Sequence, residues 1–183
     1  MSAFDVGPAD RAALLALARE SILAGLERRR PSPPPRTPSL EERRGAFVTL
    51  HIHGRLRGCI GRMLGDLPLY DAVQAMAVAA AFEDPRFPPL SADEYPAVDL
   101  EISVLSPMEP CQPGDVVPGV HGVYLTKGYS AGVFLPQVAP EQGWDREALL
   151  DNLCRKAGLP PGSHLAPGAE LRRFTAVVFG EKA

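Results

Sequence analysis

Residues 45–61 have the sequence GAFVTLHIHGRLRGCIG, and this stretch decides the fold prediction because it indicates a β-hairpin. Both halves are rich in β-prone apolar residues. The junction carries His53-Gly54 and Gly54-Arg55, and either pair suits a tight two-residue turn. We therefore expect the two halves to be adjacent antiparallel strands. Their expected bounds are residues 45–52 and 56–61.

The register of this hairpin bears on whether His51, His53 and Cys59 could bind a metal ion. A two-residue turn would place Cys59 on the same face as Val48 and Leu50, and both histidines on the opposite face. A three-residue loop would reverse that assignment. The two-residue turn therefore separates Cys59 from both histidines, so we expect no metal site.

The elements outside the hairpin do not alternate regularly between helix and strand. Apolar spacing of 3.6 residues predicts helices, and alternation predicts strands. The predicted helices are 8–29, 67–83 and 145–157, and the predicted strands are 98–105, 122–126, 132–135 and 171–179. This mixture predicts an α+β fold with a mainly antiparallel sheet and flanking helices.

One proline-rich segment interrupts the first half of the chain. Residues 31–38 have the sequence PSPPPRTP, which can form neither a helix nor a central strand. We expect residues 30–39 to be an extended surface connector within a single domain of residues 1–183. A proline-rich recognition ligand is the alternative.

Composition excludes several classes of protein. The chain has 183 residues, 45% of them hydrophobic and 22% charged, as in soluble globular proteins. A net charge of −3 argues against a protein that coats nucleic acid. No secretory leader is evident, and the longest apolar stretch, 75–82, is far too short to span a membrane. Three cysteines without a CxxC motif then predict a reduced cytoplasmic protein.

The strongest candidate for chemistry is Cys59, which lies between Gly58 and Gly61 and follows Arg55 and Arg57. Neighbouring cations raise the thiolate fraction of a cysteine, and the glycines would let a ligand approach the backbone closely. The structural alternative is a small apolar side chain buried in a strand. No P-loop, GxGxxG or Ser–His–Asp pattern is present, so we expect no cofactor.

Two further segments carry polar residues of interest. The proline-rich loop 84–90 would hold Arg86 rigidly for anion recognition, although an Asp84–Arg86 ion pair that only shapes the loop is the alternative. Gln137 offers a donor and an acceptor, and Glu141 or His121 could accept a proton.

These segments together resemble the AMMECR domain family, which includes protein A of the prokaryotic AmmeMemoRadiSam system. The resemblance spans nearly the whole chain and depends most on the hexapeptide LRGCIG at 56–61. Other family-like segments are GAFVTL at 45–50, DPRFPPL at 84–90, ISVL at 102–105, GVHG at 119–122 and LPQVA at 135–139.

The resemblance implies two unequal subdomains, with the hexapeptide near the cleft between them, and partnership with a Memo-type protein and a radical SAM protein. It supplies no reaction. Our leading hypothesis is a pocket for a small molecule or a modified residue at Arg57, Gly58 and Cys59, with Cys59 as nucleophile or contact residue. In it, Arg57 and Arg86 would orient an anionic group of the ligand, and Gln137 would fix a polar edge. A non-catalytic interaction module and a nucleic-acid accessory protein are the alternatives.

Overall fold

The computed structural model describes residues 5–182, which form two compact units. Within that range the larger unit comprises residues 5–105 and 177–182, and the smaller unit is Ser106–Ala176. The helices are α1 (Pro8–Leu26), α2 (Leu69–Phe82), α3 (Val138–Gln142) and α4 (Arg146–Lys156). The strands are β1 (Ala46–Ile52), β2 (Arg55–Arg62), β3 (Val98–Leu105), β4 (Glu109–Pro110), β5 (Gly122–Lys127), β6 (Ser130–Phe134), β7 (Ala169–Phe174) and β8 (Ala176–Gly180).

The larger unit is a four-stranded sheet with the order β2-β1-β3-β8, covered by α1 and α2. Alternate residues of β1 and β3, such as Val48 and Ile102, are fully buried beneath the helices. Leu14 of α1 and Val73 of α2 meet them in one hydrophobic core. Strand β2 is therefore an edge strand whose outer side has no neighbouring strand.

The predicted hairpin is confirmed, but its side-chain faces were predicted wrongly. His53 and Gly54 form the turn, with φ values of 51° and 74°, as a two-residue hairpin turn requires. The pairing then shifts, because Leu50 lies opposite Gly58 whereas the next residue, His51, lies opposite Leu56. One extra residue in β2 forms a β-bulge and reverses the faces of all residues after it.

The smaller unit is built on a second four-stranded sheet, with the order β4-β7-β5-β6. Its strands pair antiparallel, and α4 packs against β5 and β6. Val123 and Leu125 of the sheet meet Leu149 and Leu153 of α4 in a core that contains only residues of this unit. The predicted α+β fold with antiparallel sheets is confirmed.

Several elements differ from the sequence prediction, among them the two-residue strand β4, which was not predicted. The single strand expected at 171–179 is two strands, β7 and β8, which lie in different sheets and are separated by Thr175. Helix α3 was not predicted, because a five-residue helix that contains Pro140 has too short a pattern to detect. Among the described residues, no helix is long and apolar enough to cross a membrane.

The proline-rich connector, residues 30–39, contains no helix or strand from residue 30 to 37. Its last two residues begin a short 3₁₀ turn, Pro38–Glu41. Most of its residues are exposed, but its backbone is held to the larger unit. The Tyr70 hydroxyl donates to the carbonyl of Pro34 at 2.6 Å. The Arg36 guanidinium pairs with Asp71 and lies 4.4 Å from the centre of the Tyr70 ring.

Candidate functional site

Gly58 and Cys59 are consecutive residues of β2 and therefore face opposite sides of the sheet, and the bulge before them places Gly58 on the core face. Gly58 is buried against α2, where an added Cβ would lie 2.1 Å from the backbone oxygen of Ala80. Cys59 lies opposite Thr49 on the other face and is half-buried. The Thr49 hydroxyl donates a hydrogen bond to Cys59 Sγ at 3.3 Å. The close approach of Gly58 to the helix thus leaves the thiol on the face away from the core.

The backbone of Cys59 is bound on the outer side of the edge strand. Its N–H donates to Asp84 Oδ2 at 2.9 Å, and its carbonyl accepts from Arg86 Nη2 at 3.2 Å. Asp84 and Arg86 belong to the loop that follows α2. At Cys59 this loop therefore makes the two backbone hydrogen bonds that a further strand would make. Capping an edge in this way prevents another chain from pairing there.

Asp84 is the buried centre of this arrangement, with its side chain only 2% exposed. It accepts from Arg86 Nη2 at 2.7 Å, from Arg86 Nε at 3.0 Å and from the Arg86 backbone N–H at 3.1 Å. The Arg86 guanidinium, followed by the N–H groups of Cys59 and Arg86, holds the pKa of Asp84 well below its usual range despite burial. The alternative ion pair is therefore present, and it also binds the cysteine backbone.

Arg57 has a different partner from the one expected. Its side chain, 11% exposed, donates to both oxygens of Glu94, from Nε at 2.8 Å and from Nη2 at 3.0 Å. Arg57 lowers the pKa of Glu94 to about 2, helped by the Ser91 backbone N–H. Arg57 is thus neutralised within the fold. Sequence reasoning missed Glu94, because residues 91–94 indicate only a capped turn.

Phe87 connects the two arginines. The Arg57 and Arg86 guanidinium carbons lie 5.8 and 5.5 Å from the centre of its ring, which is cation–π distance. A groove of about 480 Å³ lies beside the hairpin turn, and its lining includes Arg57 and Glu94 but not Cys59. The loop after α2 therefore brings Arg86 to Cys59 and Phe87 to both guanidiniums.

The other predicted site residues have local surroundings of their own. Gly61 lies opposite Phe47, whose ring occupies the space that a Cβ would fill. In the smaller unit, His121 Nδ1 accepts from the Val117 N–H at 3.0 Å, and burial lowers the pKa of this histidine. Gln137 precedes α3 and Glu141 lies within it, and both side chains are exposed.

The reason given for expecting no metal site was wrong. With the bulge, Cys59 lies on the same face as Thr49, and therefore as His51. Across residues 5–182, no group of three or more His, Cys, Asp or Glu side chains is placed to hold a metal ion. The absence of a metal in the purified protein stays a prediction.

This geometry defines a class of α+β protein. It has two antiparallel sheets and a half-buried cysteine on a capped edge strand. Residues 15–179 match the AMMECR1 family, and the chain belongs to that family. The resemblance seen in the sequence is thereby confirmed.

Similar proteins occur in archaea. A protein of Methanothermobacter thermautotrophicus is 46% identical over 147 residues, which cover 76% of this chain and 77% of the relative. One from Thermococcus gammatolerans is 41% identical over 182 residues, with 92% and 89% covered. The crystal structure of the uncharacterized protein PH0010 from Pyrococcus horikoshii matches with a TM-score of 0.82 at 38% identity, covering 92% of this chain and 90% of that one.

Proposed function

We propose that the Cys59 site binds an anionic small molecule or a modified residue. In this proposal the Arg86 guanidinium orients the anionic group, and the Cys59 thiol contacts the ligand. A nucleophilic role for the thiol stays a prediction. The observation that carries the proposal is the position of Asp84, since one buried carboxylate binds both the Cys59 backbone and the Arg86 side chain.

Such an arrangement is typical of a preorganised site. Burying a carboxylate is unfavourable unless it is fully hydrogen-bonded, and Asp84 achieves this with groups of only two residues, Cys59 and Arg86. The bonds fix the backbone that carries the thiol and the side chain that carries the cation. Fixed groups lose little entropy when a ligand binds.

The Arg86 side chain retains capacity for a ligand. It is 54% exposed, and its bonds to Asp84 and Cys59 use only Nε and Nη2. Nη1 has no acceptor among the described residues, so it can donate to an incoming oxyanion. Arg57, which pairs with Glu94 through the same two nitrogens, is less suited to this role because its side chain is only 11% exposed.

Other parts of the hypothesis rest on sequence alone. Action with a Memo-type protein and a radical SAM protein follows from the family resemblance, whereas a cytoplasmic location follows from the composition and the cysteine pattern. Proton-acceptor roles for Glu141 or His121, and a polar contact from Gln137, stay predictions that the Cys59–Arg86 proposal does not need. Small-molecule binding is preferred to strand pairing at Cys59, since Asp84 and Arg86 occupy that part of the edge.

We expect Cys59 to be the most reactive thiol in the native protein. Cys154 is completely buried, and burial raises the pKa of Cys111, which lowers its thiolate fraction at neutral pH. Iodoacetamide labelling at pH 7.5, followed by mass spectrometry at each cysteine, should modify Cys59 at least about tenfold faster than Cys154. Urea-unfolded protein serves as the control, in which all three should react at similar rates. A native Cys59 that does not react would contradict the nucleophile role.

A further inference from the structure

A second concave region lies entirely within the smaller unit. Its volume is about 710 Å³, within the range of small-molecule sites. The lining comes from one face of α4, from Pro113 and from the segment 161–165. Every lining residue belongs to Ser106–Ala176, so the cavity is defined without reference to the larger unit.

Part of this cavity is apolar. Leu150 forms buried floor, and Pro161 and Leu165 lie in the facing segment. Leu165 is 72% exposed, although it is a large hydrophobic side chain beside a concave surface. An apolar rim around a cavity of this size is typical of a surface that an organic ligand covers.

The polar side of the cavity is negatively charged. Glu147 and Asp151 are four residues apart on α4, so their carboxylates share one face of the helix and repel each other. Asp151 accepts a hydrogen bond from the Gly162 backbone N–H at 2.8 Å. Within residues 5–182 neither carboxylate forms an ion pair with a Lys, Arg or His side chain. A cation between them would relieve the repulsion.

Two basic side chains near these carboxylates, Arg146 and His164, are hydrogen-bonded to other groups of the same unit. Arg146 Nε donates to the carbonyl of Val116 at 2.6 Å. His164 lines the cavity, and its Nδ1 lies 3.5 Å from the sulfur of the buried Cys154, which fixes the ring from behind. Arg146 brings one positive charge to the lining, whereas Asp145, Glu147 and Asp151 bring three negative charges, so the cavity wall remains negatively charged overall.

We propose that this cavity binds a small organic cation, namely a primary amine or guanidinium group on an apolar body. The cationic group lies between Glu147 and Asp151, and the apolar body packs against Leu150 and Leu165. The size of the cavity favours a free small molecule. The proposal uses residues of α4 and the segment 161–165 only, so it does not depend on the Cys59 site.

The chain contains its own reporter for this test. Trp144 is the only tryptophan and directly precedes Asp145 at the cavity. We expect titration with phenethylamine to change Trp144 fluorescence and to shift the backbone amide NMR signals of residues 147–151 and 162–165. The neutral 2-phenylethanol and the anionic 3-phenylpropionate have the same apolar body and should bind at least about fivefold more weakly, the size of a partly exposed ion pair.

A matched pair of variants tests whether the carboxylate of Glu147 contributes to binding. Glu147→Gln removes an exposed carboxylate that forms no hydrogen bond or ion pair with another side chain of residues 5–182, and it should weaken phenethylamine binding about fivefold. Glu170→Gln removes an exposed carboxylate from β7 in the same unit and should leave binding within twofold. Equal binding of the three compounds, no spectral change with any of them, or signals that shift outside these residues would overturn the proposal.

Discussion

Replacing Gly58 by alanine should strongly destabilise the larger unit. The added Cβ would lie 2.1 Å from the backbone oxygen of Ala80 in α2, far inside van der Waals contact. A backbone atom cannot rotate away, so β2 and α2 would have to separate. We expect a loss of at least about 3 kcal/mol in the free energy of unfolding, measured by urea denaturation.

The comparison with two other glycines makes this prediction specific. Gly114→Ala meets no atom within 4 Å and should leave stability nearly unchanged. Gly61→Ala meets the ring of Phe47, so Gly61→Ala combined with Phe47→Val should recover much of the loss. No truncation of the Ala80 side chain should rescue Gly58→Ala. A Gly58→Ala protein as stable as Gly114→Ala would show that the described β2–α2 contact is wrong.

Replacing Asp84 by asparagine should destabilise the fold by roughly 2 kcal/mol at neutral pH. An amide keeps the shape of the carboxyl group but loses the charge and one of the two acceptor oxygens. Those oxygens bind the Cys59 N–H and three groups of Arg86. Urea denaturation of both proteins at several pH values measures the difference.

The pH dependence has a definite sign. The pKa of Asp84 is lower in the folded protein than in the unfolded chain, where it is near 3.9. Its stabilising contribution is therefore complete above about pH 4 and decreases as the pH falls further. The difference between wild type and Asp84→Asn should stay constant from pH 8 to about pH 5 and shrink below pH 4. Asp93→Asn, which changes an exposed aspartate of the same unit, is the control. A stability difference between wild type and Asp84→Asn that grows toward acid pH would contradict this role of Asp84.

The fold was predictable wherever local chemistry decides it. The β-prone runs and Gly54 specify the hairpin, and apolar spacing specifies the helices around Leu14 and Leu149. The bulge in β2 was not predictable, because the hairpin sequence alone does not show that β2 carries one more residue than β1 between two paired positions. The break at Thr175 was missed for a similar reason, since a continuous β-prone run does not reveal that its two halves join different sheets.

The candidate site was predictable in its residues but not in its partners. Cys59, Asp84 and Arg86 were recognised from residue type and from the rigidity of the proline-rich loop. The pairing of Arg57 with Glu94 joins residues 37 positions apart and has no local signature. The face of Cys59 was predicted wrongly because one bulged residue reverses the alternation along a strand.

Paired alkylation rates show whether Arg86 selects anions at Cys59. Iodoacetate and iodoacetamide have similar shapes but differ by one negative charge. We expect the rate ratio of iodoacetate to iodoacetamide at Cys59 to be about threefold higher in the native protein than in urea, as one unit charge a few ångströms away would cause. Arg86→Lys should preserve this ratio, whereas Arg86→Gln should reduce it to the unfolded value. A ratio that is the same in wild type and Arg86→Gln would contradict anion selection by Arg86.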